Sequence, residues 1–217
     1  MEHMKRFATN DISTIGVICW IAVVVVALVF LLLAYNIGSK NEMEWDTSLM
    51  RLVQQSHTPM LDTLMRWITR TASIFAIGLA GVVAAWLWRV DYKPQALTFL
   101  VAMAGLEISS ILLKRLFERA RPDVFLPLTT THGYSFPSGH TTSAAAFYGL
   151  LAVWLWRTQH RAWAVLAGLW VLMVGVSRVY LGAHYPSDVL AALALGVIWI
   201  FVVMRIYDRY QKRPARP

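Results

Sequence analysis

Long apolar runs separated by short charged stretches organise this chain. The first, residues 15–35, contains no charged residue and predicts a helix of about 30 Å, the thickness of a bilayer's hydrocarbon core. Further apolar runs lie at 72–88, 95–113, 141–156, 162–183 and 189–207, each flanked by charged residues, histidine or proline. Together they predict an all-α, polytopic membrane protein: a six-transmembrane-helix bundle forming a single membrane-embedded domain over residues 1–217. Between the first two runs the pattern changes. Trp45, Leu49, Leu52 and Val53 share one helical face, and Leu61, Leu64, Met65 and Ile68 share another after a break at Pro59. Residues 44–70 therefore predict two short amphipathic helices along the membrane surface, either capping the bundle or walling a path for lipid.

Composition agrees with the pattern. The chain is 58% hydrophobic and 15% charged, where a soluble domain carries about a quarter charged residues. The single cysteine, Cys19, sits inside the first apolar run, so no intrachain disulfide is available. Lys5 and Arg6 precede that run as they would in a signal peptide, but the run is long and no small-x-small cleavage site follows. A retained anchor is expected. The net charge of +8 is scattered among apolar spans and no nucleic-acid module appears, so no nucleic-acid partner is expected.

Topology follows from parity. With six spans, the N-terminus, the 89–93 and 157–161 loops and the tail share one face, which carries Lys5, Arg6, Arg89, Lys93, Arg157, Arg161 and the basic residues of 205–216. The opposite face keeps Lys40, Arg51, Arg66, Arg70, Arg115 and Arg119 besides the motif residues described next. The positive-inside rule then places both termini in the cytoplasm, the chain in the cytoplasmic (inner) membrane and the motif-bearing ends outside.

Three short stretches lie at those outer ends, where charge is expensive and usually functional. Lys114 closes the third span and Arg121-Pro122 follows seven positions on, the proline favouring extended backbone before it. Alone this is a weak signal, since cations commonly snorkel to the headgroups. In Pro137-Ser138-Gly139-His140, a turn feeds the fourth span, so free N–H groups and the helix dipole point at one spot suited to an anion. Ser138 also reads as a helix N-cap. In the third stretch Ser177-Arg178 precedes His184 and Asp188, which are four apart. Pro186 suits a first helical turn, from which Asp188 reaches back to one ring nitrogen of His184 and leaves the other free to attack phosphorus.

In order and spacing these stretches resemble the three-part signature of the type-2 phosphatidic acid phosphatase superfamily, without substitution. The resemblance implies a phosphoric monoester or diphosphate hydrolase acting on membrane lipids. Lys114, Arg121, Ser138, Gly139 and Arg178 would bind phosphate, His184 would be the nucleophile oriented by Asp188, and His140 would protonate the leaving oxygen. It further implies bacterial lipid substrates: undecaprenyl diphosphate, ranked first for an outward-facing site, then phosphatidylglycerophosphate and phosphatidic acid. The partners expected are the lipid substrate and the bilayer, with no cofactor.

Rival readings have their own signatures. A phosphotransferase would pass the phosphoryl group from His184 to another lipid, and the motifs allow it. A haloperoxidase-like pocket fits poorly with membrane spans, and a transporter would need polar residues through several spans, where only Glu107 lies deep. His132, His140, His184, Asp123 and Asp188 invite a metal site, but Lys114, Arg121 and Arg178 would repel a divalent cation, so metal-independent hydrolysis is expected. Glu107 reads as a hydrogen-bonded packing residue. His57, His132 and Tyr134 read as headgroup anchors or substrate contacts, and the basic tail as topogenic or lipid-attracting.

Overall fold

The computed structural model describes residues 2–40, 43–72 and 74–211, with side chains from Gly16 onward in the first helix. The protein is all-helical, with no strand among the described residues. The elements are α1 (Glu2–Gly38), α2 (Glu44–Gln54), α3 (Pro59–Arg70), α4 (Ile74–Arg89), α5 (Lys93–Phe117), α6 (Gly139–Ala144), a π-helical turn (Ala145–Gly149), α7 (Leu150–Arg157), α8 (Arg161–Tyr180) and α9 (Pro186–Gln211). Lys212, Arg213 and Arg216 of the tail, and the side chains of Lys5 and Arg6, lie outside the described residues.

Length and hydropathy allow membrane crossing by Gly16–Gly38, Lys93–Phe117, Arg161–Tyr180, Pro186–Gln211 and the Pro59–Arg89 stretch that takes in α3 and α4. The apolar run expected at 141–156 is helical without a break over 139–157, its register widened once by the π-helical turn between α6 and α7. Its neighbours explain the widened turn. A Cβ on Gly196 of α9 would lie 2.5 Å from the Ala145 Cβ, so the two backbones meet where one side is bare. Likewise a Cβ on Gly105 of α5 would lie 2.0 Å from the Trp199 ring, whose Nε1 donates to the Ala102 carbonyl at 3.2 Å.

The interior joins α4, α5, the π-helical turn, α7 and α9 through Ala76, Ala80, Phe99, Leu106, Phe147, Leu150 and Val203. Alanines dominate the helix seams because lipid tails are as apolar as leucine, so close backbone approach and dispersion hold the helices together. The outside is apolar as well. Val17, Ile21, Leu28 and Leu32 of α1 are exposed, while Leu33, Ala34 and Ile37 bury against Phe136 and Ala191. Exposed Trp88, Trp156 and Trp163 mark one end of the bundle, and exposed Trp45 and Trp67 lie in α2 and α3. Two such levels are the aromatic belts of a bilayer-spanning body. The 20-residue α8, about 30 Å long, separates Trp163 near its start from Arg178 near its end.

In α2 and α3 the inward faces are narrower than the apolar stripes of the sequence. Asp46 and Met50 are buried in α2, and Met65, Ile68 and Thr69 in α3, while Trp45, Leu49, Leu52 and Leu64 are exposed. Both helices rest on the end of α8.

Candidate active site

The α8–α9 connection is set by local rules. The Gly182 N–H donates to the Val179 carbonyl and the Ala183 N–H to Arg178, with Gly182 at φ +70°, the hydrogen-bond pattern of a Schellman stop. A side chain there would be strained and would also meet the Phe125 ring, 2.7 Å from the added Cβ. Helix α9 then begins at Pro186, and the Asp188 carboxylate reaches back to the Tyr185 N–H at 3.0 Å, one half of a capping box. α8 stops, and α9 starts, three residues earlier than the apolar runs alone suggest. This leaves His184 in the connection and Asp188 in the first turn of α9.

His184 is 2% exposed and Asp188 fully buried. The Nδ1 of His184 lies 3.5 Å from Asp188 Oδ2, and its Nε2 lies 3.4 Å from the Arg121 guanidinium. A ring N–H facing the carboxylate leaves the Nε2 lone pair on the side of the cations. Burial pushes the imidazole down to about 4, against the upward pull of Asp188 and with help from Arg178 and Arg121. The ring is therefore neutral at physiological pH.

The cations come from three other segments. Lys114 Nζ, in the last turn of α5, donates to the carbonyls of Tyr134 at 2.9 Å and Pro137 at 2.8 Å. Arg121 donates to the carbonyls of Gly133, His132 and Ala183 at 2.7–2.9 Å, and the terminal nitrogen that bonds Ala183 also faces His184 Nε2 at 3.4 Å. Arg178 of α8 donates to Thr69 Oγ1 of α3 at 2.9 Å, while its Nε is buried with no hydrogen-bond partner among the described residues. Ser138 holds the N-cap position of α6, but its hydroxyl meets Thr141 Oγ1 at 2.9 Å and caps no backbone N–H. Gly139 lies beside the Lys114 chain. His140 lies near enough to Arg178, His184, Arg121 and Lys114 to feel their charges, so the residues of all three motifs converge at one end of the bundle.

A second layer lies behind them. Arg119 donates to Asp188 Oδ1 at 2.6 Å and to Asp46 Oδ2 at 2.8 Å, and its guanidinium stacks 4.1 Å from the Tyr185 ring centroid. Asp46 also accepts from the Ser187 N–H at 2.9 Å and from its hydroxyl. The Ser135 hydroxyl donates to Asp188 Oδ2. Burial opposes the charge on Arg119, but the Asp188 and Asp46 carboxylates raise its pKa further.

A profile of the PAP2 superfamily matches residues 95–212, which hold all of these motif residues. The chain belongs to the PAP2 superfamily. Phosphatidylglycerophosphatase B of Bacillus subtilis is 32% identical over 193 residues, covering 86% of this chain and 94% of that one. Undecaprenyl-diphosphatase BcrC of the same organism is 32% identical over 158 residues, 70% of this chain and 78% of its own. Among solved structures, a transmembrane PAP2-type phosphatidylglycerolphosphate phosphatase from B. subtilis superposes with a TM-score of 0.79 at 30% identity, covering 89% of this chain and 98% of that one.

Within this PAP2 fold the remaining polar residues at the motif-bearing end have structural partners. The His57 ring nitrogen meets the Tyr180 carbonyl at 3.0 Å, and the Tyr134 hydroxyl donates to Glu118 at 2.9 Å. His132 enters the site through its carbonyl, which Arg121 holds. Glu107 accepts from the Ser143 hydroxyl and so ties α5 to α6. Among the described residues no group of three or more His, Cys, Asp or Glu is placed to hold a metal ion.

Arg119, Asp46 and Ser135 are the residues that motif reading passes over. Arg119 counts there among the topogenic cations, and Asp46 is an acid at the start of an amphipathic helix. One signal was available for Asp46: it stands four residues before Met50, on the same face of α2 and beside the edge of the apolar stripe.

Proposed function

We propose that this PAP2 protein is a lipid phosphatase that hydrolyses a membrane lipid phosphate or diphosphate through a phosphohistidine on His184. The observation that carries the reading is the Arg178 Nε–H, a buried donor without a partner among the described residues, close to a neutral, carboxylate-oriented histidine. A buried unsatisfied guanidinium N–H is expensive, and a phosphoryl oxygen would satisfy it.

In the first half-reaction the His184 Nε2 lone pair attacks phosphorus in line with the leaving oxygen. Burial and the neighbouring Arg178 charge hold the His140 ring down to about 3, so it takes up a proton only with the anionic substrate beside it, and the P–O bond breaks as it passes that proton to the leaving oxygen. Lys114, Arg121, Arg178, Ser138 and the Gly139 N–H compensate the equatorial charge, which is most of what such a transfer requires. In the second half His140 takes a proton from water, the oxygen attacks the phosphohistidine, and inorganic phosphate leaves with His184 restored. The cations stand where a catalytic metal would otherwise supply positive charge, so the reaction is metal-independent.

We infer, on the positive-inside rule, six spans with cytoplasmic termini and therefore a site on the outer face of the cytoplasmic membrane. That placement ranks undecaprenyl diphosphate first, ahead of phosphatidylglycerophosphate and phosphatidic acid, since the relatives are named for the first two substrates.

The test is phosphate release by purified protein in detergent with chelator present, over those three lipids. Chelator-resistant release that disappears in His184→Ala is expected. Release that survives the substitution would refute the nucleophile assignment. Transfer to an added lipid alcohol without free phosphate would make the protein a phosphotransferase.

A further inference from the structure

We propose that Arg119, held by Asp46 of α2, is a positioning residue that fixes the Asp188 carboxylate and through it the attacking face of His184. This rests on His184 being the nucleophile. Arg119 sits outside the arc of Lys114, Arg121 and Arg178, and its two terminal nitrogens are divided between two carboxylates from remote segments.

Asp188 is fully buried, and its two oxygens have different duties. Oδ2 serves the His184 ring, the Tyr185 N–H and the Ser135 hydroxyl, whereas Oδ1 is held by Arg119 at 2.6 Å. Without the Oδ1 anchor the carboxylate is held from the Oδ2 side alone, by Tyr185 N–H and Ser135, and the acceptor that selects the imidazole tautomer is less firmly placed. Arg119 in turn is fixed because its other terminal nitrogen reaches Asp46, which is 1% exposed and pinned by the Ser187 N–H at 2.9 Å. Ser187 is the neighbour of Asp188, so the ring of contacts closes on the first turn of α9. Stacking on Tyr185 holds the guanidinium plane.

Charge makes the same demand. A buried ion pair that loses one partner leaves an uncompensated charge, which proteins relieve by taking up a proton. The groups facing the His184–Asp188 pair are Lys114 of α5, Arg119 and Arg121 of the following loop, His140 of α6, Arg178 of α8 and, through Arg119, Asp46 of α2. Deleting Arg119 removes the cation in direct contact with Asp188. The pair then protonates at higher pH, and the imidazole becomes cationic where it must be neutral.

The experiment compares Arg119→Ala, Arg119→Lys, Asp46→Asn and His184→Ala on one lipid substrate, reading kcat, KM and the acid limb of kcat/KM. Using the same substrate cancels its own ionisation. Arg119→Ala should lower kcat by up to about 100-fold, the scale of a small misplacement of the attacking group, with KM changed by less than about 3-fold. Its acid limb should move up by about one pH unit, as removal of an adjacent opposite charge shifts such groups. Arg119→Lys should recover part of kcat, since one ammonium can reach one carboxylate but not both. Asp46→Asn should fall in the same direction by less. Arg119 also walls a cavity of about 500 Å³ between the ends of α1 and α2, so added guanidinium ion at non-denaturing concentration should restore part of the Arg119→Ala rate.

An unchanged kcat and acid limb in folded Arg119→Ala, with His184→Ala inactive, would overturn the proposal and leave the nucleophile assignment standing. If Arg119→Ala does not fold, the same outcome in Arg119→Lys and Asp46→Asn overturns it. Activity surviving in His184→Ala would instead defeat the underlying reading, and the proposal with it.

Discussion

Arg178 combines two properties that rarely coexist: it is 3% exposed, and one of its donors has no partner among the described residues. Thr69 holds one end of the guanidinium and leaves the Nε edge for an anion. Replacing Arg178 with Gln should lower kcat/KM by roughly 100- to 1,000-fold, the range seen when one preorganised donor to developing charge is removed. A fall below 3-fold in folded protein would place the anion elsewhere. His184 makes a pH prediction at the same scale. Burial lowers its pKa from the ordinary 6.5 to about 4, so protonation that would silence an exposed histidine near pH 6.5 is postponed. After correction for substrate ionisation, the acid limb of kcat/KM should lie near pH 4, and a limb at 6.5 would refute it. Stability has the same sign. The unfolded imidazole takes its proton below about 6.5 and the folded one only near 4, so stability declines as pH falls through that window.

At the scale of elements, the site depends on where helices stop and how closely they meet. Gly182 ends α8 in a left-handed turn with Phe125 against it, and two residues later comes His184. Gly182→Ala should therefore reduce kcat by more than it reduces folded yield, because strain there moves the histidine directly. Equal losses of the two would assign Gly182 to folding alone. Gly196→Ala is the contrasting case. Its added carbon would meet Ala145 at 2.5 Å, a contact next to the backbone that no rotamer relieves. About 1–3 kcal/mol of destabilisation is expected, read as a lower Tm in detergent. An unchanged Tm would mean that α9 shifts freely past the π-helical turn. The start of α9 at Pro186 is legible in the residues themselves, while the stop at Gly182 is hidden within an apolar run that continues to 183. The widened turn in the fourth apolar run is not legible, because it depends on a bare Cα across the bundle.

At the scale of the whole molecule, the three motifs come from segments up to 74 positions apart, Lys114 to Asp188, yet meet at one end of the bundle. The proposed topology has a direct check. A C-terminal green fluorescent protein fusion should be bright and an alkaline phosphatase fusion inactive, and the reverse would turn the site toward the cytoplasm. The amphipathic α2 and α3 belong to the same architecture. They carry Asp46 and Thr69, which hold Arg119 and Arg178, so α2 and α3 reach the site through two buried side chains.

The residues alone determine the membrane class, the helical spans, the family and the His184–Asp188 spacing. These depend on hydropathy, on proline and glycine chemistry and on contacts within one helical turn, all local in the chain. Tertiary structure alone decides that Arg119 is a bridge between carboxylates, that Asp46 faces Ser187 rather than water, and that the buried Arg178 Nε has no partner among the described residues. Asp46 and Ser187 are 141 positions apart, and whether an acid is solvated or buried depends on the neighbour it meets. The reason is physical: hydrophobic pattern assigns a residue to a face, while a charged group's role is set by the charges that distant segments bring to it.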